Sequence, residues 1–213
     1  MNRDLSTDPN RNTAPAGLDE MGEWVHVRGY QDYLYNVKTR ELMTEQHRLR
    51  SRELLLGDWS WMAGKRVLDL GANGGYWSLK AALSKATVEA FEMDEAYHPI
   101  LERLGVQVAK EVAALGPQDV VIALALVHWL YDCTARFRDV EKIVDWLAGL
   151  AEETLLVEWV DPGDPSIVKH GHLGEDPSRY NWGRFRRALA RNFGRVRLLG
   201  SHADHRMIYR CDR

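Results

Sequence analysis

The fold is decided by the stretch Arg66-Val67-Leu68-Asp69-Leu70-Gly71-Ala72-Asn73-Gly74-Gly75-Tyr76-Trp77-Ser78. Its apolar beginning predicts a strand, its glycine-rich middle a turn, and its amphipathic continuation a helix. Glycines in such a turn allow backbone N–H groups to approach a ligand closely. Asp69 stands just before the turn, where a carboxylate repels phosphate and accepts hydrogen bonds from an ammonium group or from loop amides. Because no Gly-Lys-Ser or Gly-Lys-Thr follows, this is not a nucleoside triphosphatase loop.

Downstream of the loop, short apolar runs alternate with helical patterns. The apolar runs are 66–70, 87–91, 106–109, 119–126 and 154–159, and the helical patterns are 76–84, 95–104 and 137–151. This alternation predicts a doubly wound α/β fold with helices on both faces of a parallel sheet. After a helix at 182–192, two strands at 196–199 and 207–211 are separated by a short polar turn, so they must be antiparallel. The sequence therefore predicts a mostly parallel seven-stranded sheet with an antiparallel last strand.

The composition along the chain divides it into three segments. Residues 1–20 carry no apolar period, which predicts a disordered lead-in. Residues 21–60 mix apolar and charged positions with an amphipathic pattern, which predicts an N-terminal helical lid. Residues 61–213 are expected to form the α/β domain.

Composition excludes several classes of protein. With 45% hydrophobic and 28% charged residues, the chain has an ordinary globular composition. It lacks an apolar run long enough to span a bilayer and a signal-peptide core, so we expect no membrane insertion and a cytoplasmic location. Two cysteines, Cys133 and Cys211, exclude a disulfide framework, and His170 and His172 have no second group of ligands beside them, so no metal site is expected.

Charge is unevenly distributed. Residues 169–213 contain 11 of the 28 Lys and Arg but only 4 of the 31 Asp and Glu. A basic segment of this kind suits an anionic substrate or RNA, or it forms a solvated helix face whose arginine stems cover the core. No separate RNA-binding module accompanies it.

Two acids follow the second apolar run. Glu92 stands at the strand tip about 20 residues after the glycine loop, the spacing at which an acid binds both hydroxyls of a ribose. Asp94 precedes Glu95-Ala96-Tyr97 and is better placed as a helix N-cap. We therefore expect Glu92 to be the ribose ligand.

Three motifs of this sequence resemble those of the class I, Rossmann-like S-adenosylmethionine-dependent methyltransferases. Residues 67–75 resemble the first motif, with Asn73 where the family usually has glycine, and asparagine tolerates a left-handed backbone well. Residues 88–94 resemble the second motif, and residues 119–130 resemble the fourth strand with its motif. The closing hairpin also fits the reversed last strand of the family.

The resemblance implies that the chain binds S-adenosylmethionine. Eight residues are implied as cofactor ligands: Asp69, Gly71, Asn73 and Gly75 at the methionine end, Glu92 at the ribose, and Met93, Glu111 and Val112 around the adenine. The segment holding Glu111 and Val112 matches the family less well than the first two motifs do.

The methyl acceptor is expected beyond the carboxyl ends of the strands. His128 follows the fourth strand, where it is a candidate catalytic base, an orienting group or a structural residue. Trp129 beside it is expected to line the acceptor pocket. Glu158 and Asp161, after the fifth strand, are candidate acceptor ligands, although Asp161 also suits a plain turn.

These observations predict an enzyme that transfers a methyl group from S-adenosylmethionine to a small-molecule acceptor, with oxygen favoured over nitrogen because of His128. An RNA methyltransferase that uses the basic segment is the first alternative. A non-methylating alkyl transfer or cyclisation enzyme and a non-catalytic cofactor-binding regulator are the others, since the fold does not decide among them. The sequence specifies no oligomeric state.

Overall fold

The structure, a computed structural model, describes residues 17–133, 137–174 and 176–213. The strands are β1 (Gly17–Met21), β2 (Trp24–Arg28), β3 (Tyr33–Asn36), β4 (Leu42–Met43), β5 (Arg66–Leu70), β6 (Thr87–Phe91), β7 (Gln107–Ala109), β8 (Gln118–Ala123), β9 (Ala151–Val160), β10 (Arg195–Ala203) and β11 (Arg206–Asp212). The α-helices are α1 (His47–Leu56), α2 (Tyr76–Leu83), α3 (His98–Arg103), α4 (Val127–Cys133), α5 (Val140–Leu150), α6 (Pro165–His170) and α7 (Trp182–Asn192).

Seven of these strands form the main sheet, in the order β10-β11-β9-β8-β5-β6-β7. Strands β5 to β9 pair in parallel, and β11 runs antiparallel to both β9 and β10. The predicted fold class, a mostly parallel seven-stranded sheet with a reversed last strand, is confirmed. The hairpin turn is confined to 204–205, and β10 extends beyond the predicted end at 199, because His202 still belongs to β10 and its side chain is buried against Glu158.

The main sheet is covered on both faces, as the alternation of strands and helices predicts. Successive residues of a strand point to opposite faces. Leu68 accordingly packs in a core with α5 and α7, whereas Val67 packs in a second core with α2 and the N-terminal segment. The central strands β5, β8 and β9 have long buried runs because both faces of the sheet are covered there.

The N-terminal segment corrects the sequence prediction. Residues 17–43 form a four-stranded antiparallel sheet, and only α1 and a 3₁₀ turn at Ser60–Met62 are helical in the expected lid. Tyr33 and Tyr35 are both buried on one face of β3, so the apolar period here is two rather than 3.6. The predicted disordered lead-in is wrong for residues 17–20, which belong to β1. Residues 1–16 of this predicted lead-in lie outside the described residues.

This N-terminal sheet is joined directly to the glycine loop. The Tyr33 hydroxyl donates to the Gly74 carbonyl oxygen at 2.5 Å, and Gln31 Oε1 accepts from the Tyr76 N–H at 2.8 Å. A Cβ on Gly74 would come within 2.9 Å of Val27, so only glycine allows the sheet to approach this closely. The two sheets therefore share one packed junction at the loop.

No α-helix in the described part of the chain is both long and apolar enough to span a bilayer.

Candidate functional site

The glycine loop leaves β5 at its carboxyl end, where open α/β sheets bind ligands. Its first amide, that of Gly71, donates to the Phe91 carbonyl oxygen at 2.8 Å and ties the loop to the end of β6. Asn73 has φ 50° and Gly75 φ 86°, so both adopt the left-handed backbone that the sequence anticipated for Asn73. A Cβ on Gly75 would also approach Leu101 to 2.7 Å, which fixes glycine at this position.

Asp69 lies beneath the loop and is only 2% exposed. The Ser78 hydroxyl donates to its carboxylate at 2.6 Å. Burial disfavours the charged form and raises the pKa of Asp69 to about 7, and the Ser78 hydrogen bond opposes this shift without cancelling it. A neighbouring cationic ligand would stabilise the carboxylate.

The raised pKa of Asp69 makes stability depend on pH in a defined direction. Folded Asp69 holds its proton up to about pH 7, whereas the unfolded residue releases it near 3.8, so stability falls as pH rises through that interval. Asp69→Asn keeps an oxygen for Ser78 and has no proton to lose. We expect urea unfolding between pH 4 and 8 to show a fall on the order of 4 kcal/mol in the free energy of unfolding of the native protein, which Asp69→Asn lacks. Equal pH slopes in the two proteins would contradict this assignment.

Glu92 and Asp94 have separate tasks at the end of β6. The Glu92 carboxylate accepts from the Asn73 N–H at 2.7 Å and from the Asp94 N–H at 2.9 Å. The Asp94 carboxylate instead accepts from the Ala96 N–H at the start of the 3₁₀ turn Glu95–Tyr97, as an N-cap does. Burial raises the pKa of Glu92, against the two N–H donors. Glu92 therefore holds the loop and faces the same edge of the sheet as Asp69.

The loop is rich in hydrogen-bond acceptors. Besides the carboxylates of Asp69 and Glu92, the buried Asn73 Oδ1 has no hydrogen-bond partner among the described residues. A buried acceptor without a donor is costly and indicates a ligand that supplies one. Residues 71–75 contain no Lys or Arg. This set of acceptors therefore suits a ligand that donates hydrogen bonds through an ammonium group and hydroxyls, and it does not suit phosphate.

Two exposed apolar side chains stand at neighbouring strand ends. Met93 follows β6 and is 53% exposed, and Val112 begins a 3₁₀ turn after β7. β6 and β7 pair in parallel up to Phe91 and Ala109, so the two side chains lie at one edge of the sheet. Glu111, just before Val112, is exposed and caps that turn without a side-chain hydrogen bond. These positions can hold a flat apolar ring.

The carboxyl end of β8 leads into α4, which carries His128 and Trp129. His128 is 3% exposed, and its Nδ1 has no hydrogen-bond partner in the described chain. Burial, with a smaller contribution from His172, lowers the pKa of His128 to about 3. Trp129 is 41% exposed and its ring centroid lies 4.0 Å from that of His172. Trp129 is thus available to a ligand, and His128 is a neutral, weakly basic imidazole behind it.

Glu158 is fully buried in a network of charges at the end of β9. Arg52 of α1 donates to both of its carboxylate oxygens, at 2.9 and 3.0 Å. His202 lies 3.0 Å from Oε1, and Arg206, which also pairs with Asp164 at 2.7 Å, lies 3.5 Å away. Without exposed surface, Glu158 can act on an acceptor only through these partners.

Asp161 and three tryptophans that lie at or beyond strand ends, other than Trp129, have local partners. The Asp161 carboxylate accepts from the Gly163 N–H at 2.9 Å, as in the plain turn that its sequence also suits. Trp77 stacks on Trp59, and Trp159 stacks on Tyr180 inside the core. Trp182 donates its indole N–H to Tyr209. Trp129 is therefore the candidate pocket wall among them.

Sequence reasoning missed the contribution of the N-terminal segment to this edge of the sheet. Tyr30, in the turn after β2, lies beside Arg52 and Arg48, and its charge environment includes Glu158 and Arg206. The alternating apolar residues of 24–28 are typical of a single strand, but nothing local indicated its partners or that the following turn meets the end of β9.

The basic C-terminal segment is largely paired within the protein. Arg184 lies 3.0 Å from Asp139, and Arg191 lies 2.7 Å from Asp145, so α7 turns part of its basic face to the acids of α5. Arg186 stacks on Trp182. These contacts favour the interpretation of α7 as a solvated, ion-paired helix.

The geometry has counterparts among solved structures. WbdD, a bifunctional kinase-methyltransferase, is 19% identical with a TM-score of 0.54, and the match covers 78% of this chain and 38% of WbdD. The magnesium protoporphyrin IX methyltransferase (ChlM) from Synechocystis PCC 6803, solved with bound SAH, is 19% identical with a TM-score of 0.54 and is covered to 83%. The chain has the class I methyltransferase fold.

A third solved structure with this fold is an O-methyltransferase family protein from Burkholderia thailandensis, 13% identical with a TM-score of 0.59, matched over 78% of this chain and 55% of that one. No protein-family model and no curated protein matches the sequence. At these identities the class I methyltransferase fold is what the comparisons establish, and the resemblance seen in the sequence motifs is confirmed at that level.

Proposed function

We propose that this chain is an S-adenosylmethionine-dependent methyltransferase that acts on a small-molecule acceptor through oxygen. The observation that carries the proposal is the acceptor-rich loop formed by Asp69, Glu92 and the unpartnered Asn73 Oδ1. S-adenosylmethionine presents the complementary groups, an ammonium and two ribose hydroxyls, and carries no phosphate. When bound, it supplies a methyl group on a sulfonium, which is the intrinsically reactive centre.

The residues of the chain have distinct tasks toward this cofactor. Asp69 and the loop residues Gly71, Asn73 and Gly75 bind the methionine end, and the Glu92 carboxylate binds the ribose while keeping the loop in place. Met93 and Val112 flank the adenine, with Glu111 at its edge. The protein positions the acceptor beyond the ends of β8 and β9 and removes its proton.

On the acceptor side, Trp129 is proposed as a wall of the pocket, with Asp161 at its margin and Glu158 acting through the cations around it. His128 was expected to be a base, an orienting group or a structural residue. An imidazole with a pKa near 3 is too weak a base for efficient proton removal near neutral pH. We therefore propose that His128 orients the acceptor side of the site as a neutral hydrogen-bonding group.

Calorimetric titration of the purified chain tests the proposal. We expect binding of both S-adenosylmethionine and S-adenosylhomocysteine and no binding of NAD. Tight NAD binding without either sulfur ligand would overturn it. Nanomolar affinity for RNA with a steep dependence on salt would instead support the RNA alternative, because phosphate contacts release counterions. Tight cofactor binding with conversion to products other than methylated acceptors would support the cyclisation alternative.

A further inference from the structure

Tyr30 lies between the glycine loop and the charge network of β9. Its carbonyl oxygen accepts from Gln46 Nε2 at 2.9 Å, and its backbone also interacts with Tyr97, whose hydroxyl oxygen faces the donating NH₂ group of the Asn73 side chain. These contacts fix the backbone of Tyr30 beside the cofactor loop. Tyr30 as a residue is partly exposed.

The phenol of Tyr30 is surrounded by cations. The Arg48 guanidinium carbon lies 4.9 Å from the centre of the ring, and the Arg52 guanidinium interacts with the hydroxyl. Arg206 of β11 and the Glu158 carboxylate of β9 also face it. Glu158 is already shared among Arg52, Arg206 and His202, and Arg48 forms no ion pair with a described carboxylate. The local balance of charge around the hydroxyl is therefore positive.

This environment favours the phenolate. Burial and Glu158 favour the neutral phenol, but the guanidiniums of Arg52, Arg48 and Arg206 together outweigh them, so the pKa of Tyr30 lies below its usual value of 10.0. Tyr33 and Tyr180, which are buried without facing such cations to the same extent, have pKa values raised well above 10.0.

We propose that Tyr30 is the catalytic base of the reaction and that its hydroxyl touches the methyl acceptor. The inference rests on the proposed function and commits the acceptor to a hydroxyl compound. The O–H bond of the acceptor breaks, its proton passes to the Tyr30 phenolate oxygen, and the electron pair remains on the acceptor oxygen, which becomes the nucleophile. The neutral phenol then returns the proton to solvent before the next turnover, so the protein is unchanged.

The first test measures the ionisation of Tyr30 in the complete chain without ligand. Phenolate absorbance followed during a pH titration should show one tyrosine ionising ahead of the others. This early transition should disappear in Tyr30→Phe and remain in Tyr35→Phe, which removes another phenol of the N-terminal segment. Arg48→Ala, a surface change that leaves the buried network intact, should move the early transition to higher pH. An early transition that survives Tyr30→Phe, or none in any of these proteins, would overturn the proposal.

The second test asks whether Tyr30 lies at the transfer point. S-adenosylmethionine carries a positive sulfonium where S-adenosylhomocysteine has a neutral sulfur, so a nearby phenolate feels a charge with one ligand and not with the other. We expect the Tyr30 transition to lie about one pH unit lower with S-adenosylmethionine than with S-adenosylhomocysteine. Equal pKa values with both bound would remove Tyr30 from the reaction while leaving the proposed function intact. Failure of both ligands to bind in calorimetry would overturn the proposed function itself.

Discussion

Glu158→Ala is expected to lower the free energy of unfolding by about 3–5 kcal/mol, because it leaves the buried Arg52 without its carboxylate partner. His202 and Arg206 lose the same partner, so three positive or protonatable groups would be left together. The same network holds the pKa of Glu158 at about 2 despite burial. Its stabilising effect is therefore complete above the unfolded value of 4.5 and is lost as pH falls toward 2.

Urea unfolding at pH 7 measures this effect, with Asp161→Ala as the matched control. Asp161 lies just beyond the same strand and is partly exposed, and its carboxylate makes a turn hydrogen bond and a 3.8 Å contact with the half-exposed His205, so its removal should cost about 1 kcal/mol or less. Replacing Arg52 and Glu158 together by Met and Leu should recover most of the loss, since a buried ion pair is replaceable by apolar side chains. If Glu158→Ala were as stable as the Asp161→Ala control, the charge network would contribute little to the free energy of unfolding.

Glu92→Ala is expected to weaken binding of S-adenosylhomocysteine about 100-fold, equivalent to ~2–3 kcal/mol. Two causes act together. The proposed hydrogen bonds to the ribose are lost, and the Asn73 amide loses the acceptor that fixes the loop. Glu92→Gln keeps one oxygen for that amide and should lose less affinity than Glu92→Ala.

Asp94→Ala provides the control for this measurement. Because the Asp94 side chain caps the following turn, its removal should cost about 1 kcal/mol of stability and leave the calorimetric affinity nearly unchanged. The opposite result, with Asp94→Ala abolishing binding and Glu92→Ala retaining it, would exchange the roles of the two acids.

The main sheet was predictable because its signals are local. The loop after β5, the apolar runs and the closing hairpin each carry their pattern within a few residues, and the helix predicted at 182–192 has those bounds in the structure. The N-terminal sheet was not predictable in the same way. Tyr33, Leu34 and Val37 fit a helical spacing, and the burial of Tyr33 with Tyr35 arises only when β3 pairs with β2 and packs on the loop.

The same distinction between local signals and tertiary packing applies to the residues of the candidate site. The loop geometry at Asn73 and the separate tasks of Glu92 and Asp94 follow from strand ends and caps, which the sequence displays directly. Tyr30 and Arg52 reach the site through tertiary packing, 106 positions in the chain separating Arg52 from Glu158. His128 was placed correctly at the end of β8, but its basicity depends on burial, which the sequence does not reveal.

The junction at Gly74 restricts which segments of this protein can be exchanged for foreign ones. The carbonyl of Gly74 and the amide of Tyr76 are satisfied by Tyr33 and Gln31, which belong to the N-terminal segment. A chimera that grafts a foreign N-terminal segment onto the α/β core would leave both groups without partners inside the ligand loop. The N-terminal segment and the loop must therefore be transplanted, or be redesigned, as one unit.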